Sequence, residues 1–221
     1  MAYRRTPQIE ARQARIRERI VEAARRLVAE GGFREAQVAA VAAAAGVATG
    51  SVYRHFPSKA DLLREVMIRV VEREFAVVRE IAEADGTAAA RLADAVGAFA
   101  ARALRGPRLA YAMLAEPVDP EIEAARLEWH RAYGRVFEGL LREGMAAGEL
   151  RAQDPRLAAA CLVGAFMDAL VGPLSPDAAT LGEAGRERVV EGIVAFCLGA
   201  VGGEAAARVS ARPELQEEPT C

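Results

Sequence analysis

The sequence predicts an all-α protein of about nine helices, and three observations carry that prediction. Of 221 residues, 50 are Ala and 28 are Arg, none is Asn, and aromatic residues make up 5%. Strong helix formers therefore dominate, while the β-branched and aromatic residues that favour strands are scarce. Apolar residues recur with the 3.6-residue period of a helix, not the 2-residue period of a strand, in almost every segment. Gly and Pro cut the chain into helix-sized pieces. Pro57, Pro107, Pro120, Pro155 and Pro176 fall at junctions, where the start of a helix needs no N–H.

The first helix is expected over residues 8–30. Ile16, Ile20, Ala23, Ala24, Leu27 and Val28 share one face, charged residues such as Arg12, Arg15 and Arg19 lie off it, and Gly31-Gly32 ends it. Two short helices follow, 37–45 ending at Gly46 and 49–55 ending before Pro57. Ser58 reads as the N-cap of a fourth, because Asp61 stands three residues on. Leu62, Leu63, Val66, Met67, Val70 and Val71 then begin an amphipathic run to about residue 83. Five more helices are expected at about 87–104, 107–115, 120–147, 155–171 and 176–201. Residues 204–221 are charged and aperiodic, and are expected to be a disordered tail.

The whole-chain charge of −2 argues against a polybasic nucleic-acid or membrane binder, yet the average hides a division. Residues 1–62 hold 11 basic against 6 acidic side chains, net +5, and residues 63–221 hold 18 against 25, net −7. A basic head on an acidic body suits a protein that meets DNA with one end. Cys161, Cys197 and Cys221 are odd in number and lack metal-ligand spacing, which implies reduced, structural thiols with no metal or cofactor. Charge interrupts residues 1–19 throughout, leaving no apolar core for a signal peptide. The uncharged stretch 36–53 is too weakly apolar to span a bilayer, and 157–167 and 193–203 are too short at 11 residues each. A cytoplasmic protein without a membrane partner is expected.

Residues 38–56 carry the strongest functional signal. Val38, Val41 and Ala42 would face inward from one short helix, and Val52 and Phe56 from the next. Gly46 supplies the φ > 0 that the intervening turn needs, with Val47 as its apolar plug. Such a pair is either an ordinary helix hairpin or a helix-turn-helix, whose second helix enters the major groove. The outward set of that second helix favours the latter: Thr49, Gly50, Ser51, Tyr53, Arg54 and His55 are all small or hydrogen-bonding, and none is acidic. Lys59, the chain's one lysine, opens the next helix, where exposed N–H groups and a cation together suit a phosphate.

The run Gly46-Val47-Ala48-Thr49-Gly50-Ser51-Val52-Tyr53-Arg54-His55-Phe56-Pro57-Ser58-Lys59-Ala60-Asp61-Leu62-Leu63 closely resembles the signature of the TetR family of bacterial transcriptional repressors. Ile20, Ala23, Ala24, Leu27, Gly31, Gly32 and Phe33 resemble that family's first helix, so the likeness covers about residues 10–65. Two departures stand out. Where members usually open the second helix with a Thr pair and a basic residue, this chain has Ala36, Gln37 and Ala39, leaving Gln37 as the replacement phosphate contact. Ala48 stands where a capping Ser is common, a loss of about 1 kcal/mol that packing or the Thr49 hydroxyl must offset. Tyr3, Arg4 and Arg5 are either a backbone-touching arm or a disordered terminus.

The resemblance implies a helix-turn-helix domain over residues 1–62 and a helical effector-binding and dimerisation domain over 63–203. Within the latter, Trp129, Tyr133 and Phe137 stand at i, i+4 and i+8 with His130 beside them. They are either plain core or, with Phe99, Tyr111, Met113, Phe166 and Met167, the lining of a mainly apolar effector pocket. The last two helices are apolar on more than one face and are expected to dimerise as a four-helix bundle. The partners implied are thus a palindromic double-stranded operator, a second copy of the chain and a small-molecule effector. Two alternatives remain: a DNA-binding activator or architectural dimer without an effector, and an all-helical enzyme or carrier. Two histidines and no Glu-x-x-His pair, nucleophile elbow or phosphate loop leave little to support catalysis.

Overall fold

The computed structural model describes residues 7–202. Tyr3, Arg4, Arg5, Cys221 and the tail from residue 204 lie outside the described residues. Among the described residues there are nine α-helices and no strand: α1 Pro7–Gly31, α2 Val38–Ala45, α3 Thr49–His55, α4 Lys59–Ala82, α5 Ala88–Arg105, α6 Pro107–Leu114, α7 Pro120–Ala146, α8 Pro155–Leu174 and α9 Glu183–Val201. They fall into two compact units. Among the described residues, the first comprises 7–73, 106–129 and 174–177; the second comprises 74–105, 130–173 and 178–202.

In the first unit, the apolar stripe of α1 meets the inward faces of α2, α3 and α4. Ile20, Ala23, Ala24, Val28, Val41, Val52, Leu62, Val66 and Met67 are all essentially inaccessible. Small side chains such as Ala23 and Ala24 on α1 and Ala42 and Ala45 on α2 let the short α2 approach α1 closely, which compensates for its few large residues. Gly46 ends α2 with φ +62, its own N–H reaching back to Ala43 and the Val47 N–H to the Ala42 carbonyl at 3.0 Å. The Arg19 guanidinium donates to the Ala45 carbonyl at the same helix end. Ser58 caps α4 reciprocally. Its hydroxyl accepts the Asp61 N–H at 3.0 Å, while the Asp61 carboxylate accepts the Ser58 N–H at 3.1 Å.

The same unit includes α6 and the start of α7. The Glu116 carboxylate accepts the backbone N–H groups of Phe33 at 3.1 Å and Arg34 at 3.3 Å, just past Gly32 with its φ of +83. Arg126 donates to the carbonyls of Met113 at 2.9 Å and Glu116 at 2.8 Å, satisfying groups left open where α6 ends. Burial lowers the Arg126 pKa, opposed by Glu123 and Glu116.

The second unit is held by the ring cluster described below and by α5 packed on α9, where Gly97 lies beneath Val190 and Val194. Arg91 is the buried charge of this unit: it donates to the Ala82 carbonyl at 2.8 Å, at the end of α4, and pairs with Glu143.

Two helix boundaries differ from the sequence reading. The eighth helix does not stop at Val171 but runs through Pro173 to Leu174. A proline in a last turn removes one hydrogen bond only, and the burial of Leu170 and Leu174 offsets it. The ninth helix starts at Glu183, not Pro176, with Gly182 as its N-cap. Residues 176–182 include Asp177, Thr180 and Gly182, poor helix formers that leave too little propensity to extend the helix.

At 20 residues and a mean hydropathy of 1.9, α8 is also long and apolar enough, by length and composition, to cross a membrane. The 11-residue stretch 157–167 ends before Asp168, whereas the helix continues past that charge to Leu174. Its apolar surface points two ways: Leu162, Val163, Phe166, Met167 and Leu170 are buried, whereas Leu157 is 63% exposed and Cys161 is exposed.

Candidate nucleic-acid interface and ligand-binding core

Ala48 is the N-cap of α3, with an extended backbone and a side chain that makes no capping hydrogen bond. Packing anchors it instead, through Val52 at 1% and Phe56 at 3% exposure. With one side so fixed, the opposite side faces outward. Thr49, Gly50, Tyr53 and Arg54 are exposed and lie together at i, i+1, i+4 and i+5. A Cβ on Gly50 would meet nothing within 4 Å, so that part of the surface is open down to the backbone.

Ser51 and His55 are half-buried. Burial holds the His55 pKa below its ordinary value, and the charges of Arg17 and Arg54 push it the same way. Both effects disfavour the charged imidazole, and Arg54 and Lys59 contribute cationic side chains at α3 and the start of α4. Beneath it, Arg17 lies over the Phe56 ring at 4.8 Å and pairs with Glu65 at 2.8 Å, fixing the end of α3 against α4.

Lys59 is half-buried at the first position of α4. It lines an open groove of about 560 Å³ in the first unit together with Phe33, Arg108, Tyr111 and Glu116. Gln37 is exposed, and its side-chain amide donates to the Arg34 carbonyl at 2.8 Å.

The residues expected to line an effector pocket separate. Phe99, Tyr133, Phe137 and Phe166 meet in the second unit, and Phe75 joins them. Tyr133 stands edge-on to Phe75 at 5.2 Å and to Phe99 at 5.5 Å, Phe99 to Phe166 at 5.1 Å, and Phe166 to Phe137 at 5.6 Å. Edge-to-face pairs of this kind add about 0.5–1.5 kcal/mol each beyond area burial. Met167 is buried in the same unit, and His130 is half-buried there. Tyr111, Met113 and Trp129 belong to the first unit: Tyr111 lines the groove with Lys59, Met113 is core, and Trp129 is half-buried.

The sequence reading missed Phe75, although it stands four residues after Val71 on the same apolar stripe. It also missed the forked ion pair of Arg102 with Glu74, at 2.5 and 2.9 Å. The Tyr133 hydroxyl is buried and makes no hydrogen bond among the described residues. Its pKa is raised by burial and by Glu74, with Arg102 opposing. A buried hydroxyl without a partner costs about 1–3 kcal/mol. Tyr133→Phe should therefore leave the thermal midpoint unchanged or raise it; a clear fall in a melting scan would show that the hydroxyl is bonded in the folded protein. Cys197 is buried too, its thiol pKa pushed up to about 11, which makes it inert.

Comparison with known proteins places the chain in a family. The family description "Bacterial regulatory proteins, tetR family" matches residues 20–66, and "Tetracyclin repressor-like, C-terminal domain" matches residues 85–170. The HTH-type transcriptional repressor KstR of Mycolicibacterium smegmatis is 36% identical over 133 residues, a match spanning 60% of this chain and 64% of that relative's length. The fatty acid metabolism regulator protein of Bacillus subtilis is 30% identical over 152 residues, covering 66% of this chain and 76% of that one. Among solved structures, FadR of Bacillus subtilis in complex with stearoyl-CoA superposes with a TM-score of 0.71 at 22% identity, covering 84% of this chain and 99% of that one, a likeness of fold. The chain belongs to the TetR family of bacterial regulatory proteins.

Proposed function

We propose that two copies of this chain form a two-fold dimer that represses transcription in the cytoplasm, placing both α3 helices in the major grooves of a palindromic operator, and that a small, mainly apolar effector releases it. The observation that carries this reading is the α3 surface: Thr49, Gly50, Tyr53 and Arg54 exposed together, free of carboxylates, with Lys59 at the start of α4. Residues 1–62 act as the DNA-binding head, and residues 63–203 as the effector-binding and dimerisation body. The Tyr133 ring core supplies the apolar site, where FadR's stearoyl-CoA is a precedent for a long apolar chain within this fold. The effector favours one spacing of the two heads, and α4, which runs from the first unit into the second, transmits the choice.

Lys59 is assigned to phosphate and Thr49 and Arg54 to base edges. Lys59→Ala should weaken binding alike on palindromic and random duplexes and reduce the salt slope by about 1. Thr49→Ala and Arg54→Ala should instead alter sequence preference. Fluorescence anisotropy at several salt concentrations decides this, and an equal loss on both duplexes for all three variants would contradict the division of roles.

The dimer is assigned to α8 and α9, whose exposed faces carry Leu157, Cys161 and the 62% exposed Phe196. Large exposed apolar side chains beside small ones such as Gly164, Gly192 and Gly199 suit close helix packing against a second copy. Phe196→Glu should convert a dimer to a monomer in light scattering at micromolar concentration. Wild-type protein that scatters as a monomer would overturn the assignment.

A further inference from the structure

The body of the chain is acidic, with 18 basic against 25 acidic residues over 63–221, yet one face of the second unit is basic. An open groove of about 700 Å³ along α7 and α8 is lined by Arg131, Arg135, Arg142 and Arg156, with Glu138 as its one carboxylate among the described residues. Arg142 already takes Glu138, at 2.5 and 3.2 Å. Arg131, Arg135 and Arg156 are exposed, and none of them forms an ion pair among the described residues. Uncompensated guanidinium groups repel one another, and each presents a planar fork that matches a carboxylate. The groove is separate from the ring core, because Tyr133 and Phe137 turn inward from α7 while Arg131 and Arg135 face out. It suits an acidic chain laid along the surface.

The protein carries such a chain. Residues 203–212 hold Glu204 against Arg208 and Arg212, but from Pro213 the sign changes: Glu214, Glu217 and Glu218 stand within residues 213–221 without a basic side chain. The point from which this segment departs is fixed close to the groove. The Arg151 N–H donates to the Gly202 carbonyl at 2.8 Å, its guanidinium donates to the Ala200 carbonyl at 2.8 Å, and the Gln153 amide donates to the Val201 carbonyl at 3.2 Å. The end of α9 is thereby tied to the loop that leads into α8, and Arg156 lies in the first turn of that helix. Ten residues, 203–212, can span at most ~33–36 Å, whereas the groove runs about 16 Å along α7 from Arg142 to Arg131. The acidic run can thus reach the groove of its own chain, and the tether supplies it at an effective concentration on the order of millimolar.

We propose that the acidic segment 213–219, through Glu214, Glu217 and Glu218, docks in the α7–α8 groove of the same chain against Arg131, Arg135 and Arg156, and so neutralises the basic face of an otherwise acidic body. Neither DNA nor an effector is required for this contact.

Two measurements on the full-length protein test it. At low ionic strength a Glu-specific endoproteinase should cut after Glu214 and Glu217 more slowly in the wild type than in R131A/R135A, since a segment docked about four-fifths of the time is cut roughly fivefold more slowly. At about 1 M salt, where charges are felt over only about 3 Å, the two rates should converge. In the R135K variant a zero-length carbodiimide should join the introduced amine to Glu214, Glu217 or Glu218, with reaction at Glu138 as the local control. In mixtures of isotopically light and heavy protein, the joined peptides should come from one chain. Equal cutting of the wild type and R131A/R135A at low ionic strength, or reaction at Glu138 alone, would overturn the proposal. So would joined peptides that combine light and heavy chains, which would make the occupant a second copy's segment, and so would a fall of R131A/R135A to monomers in light scattering, which would make the groove a dimer contact.

Discussion

Phe137→Ala is expected to lower the stability of the protein by about 3–5 kcal/mol, among the largest effects available to a single substitution in this chain. Phe137 is 0% exposed and sits edge-on to Phe166, at the end of a run of rings that continues through Phe99 and Tyr133 to Phe75. Truncation removes its own buried area and also one wall of Phe166, and rings packed from four different helices cannot all collapse into the space. At roughly 2–4 °C per kcal/mol for a chain of this size, the fall in Tm should be on the order of 10 °C. Calorimetry on the full-length protein measures it. A shift of under about 2 °C would mean that the rings move freely and that the core is not packed in the absence of ligand.

Gly50→Glu is expected to abolish DNA binding without harming the fold. Gly50 lies within α3 at an exposed position with open space around its missing Cβ, and its φ is not in the left-handed region. Replacing a helical glycine typically stabilises by about 0.5–1 kcal/mol, so the Tm should stay level or rise slightly. In the proposed DNA complex the same side chain would stand where α3 approaches the groove and would place a carboxylate among phosphates. A loss of roughly hundredfold or more on both palindromic and random duplexes should follow, because repulsion from the backbone is independent of sequence. Anisotropy titration beside a melting scan separates the two effects. Near-wild-type affinity would show that α3 does not lie in the groove.

The head was the most legible part of the sequence, because local chemistry settles it. Gly46 can end α2 only by adopting φ > 0, Ser58 and Asp61 satisfy each other's backbone groups whatever surrounds them, and Val52 and Phe56 leave α3 one side to bury. The body was less legible because its contacts depend on packing between distant segments. Trp129, Tyr133 and Phe137 looked like one stripe, but a helix turns about 100° per residue, so positions i and i+8 diverge by roughly 80°. Tyr133 and Phe137 are buried in the second unit, whereas Trp129 is half-buried in the first. Tyr111 and Met113 went to the first unit because Glu116 and Arg126 fix α6 beside the end of α1, a connection made by backbone acceptors and donors that no side-chain pattern announces. The continuation of α8 through Pro173 was hidden for a related reason. Proline marks a probable helix end, and only the burial of Leu174 shows why this helix passes it.

The most direct test is to incubate the full-length protein with sheared genomic DNA of the organism that encodes it, recover the retained fragments and sequence them. A dimer that reads DNA through two α3 helices should enrich a small set of fragments sharing one palindrome, with half-sites about one helical turn or a modest multiple of it apart. Lys59→Ala should recover the same palindrome in lower yield, and Gly50→Glu should recover none. Retention of fragments without a shared palindrome, or equal enrichment by wild type and Gly50→Glu, would contradict an operator-binding regulator.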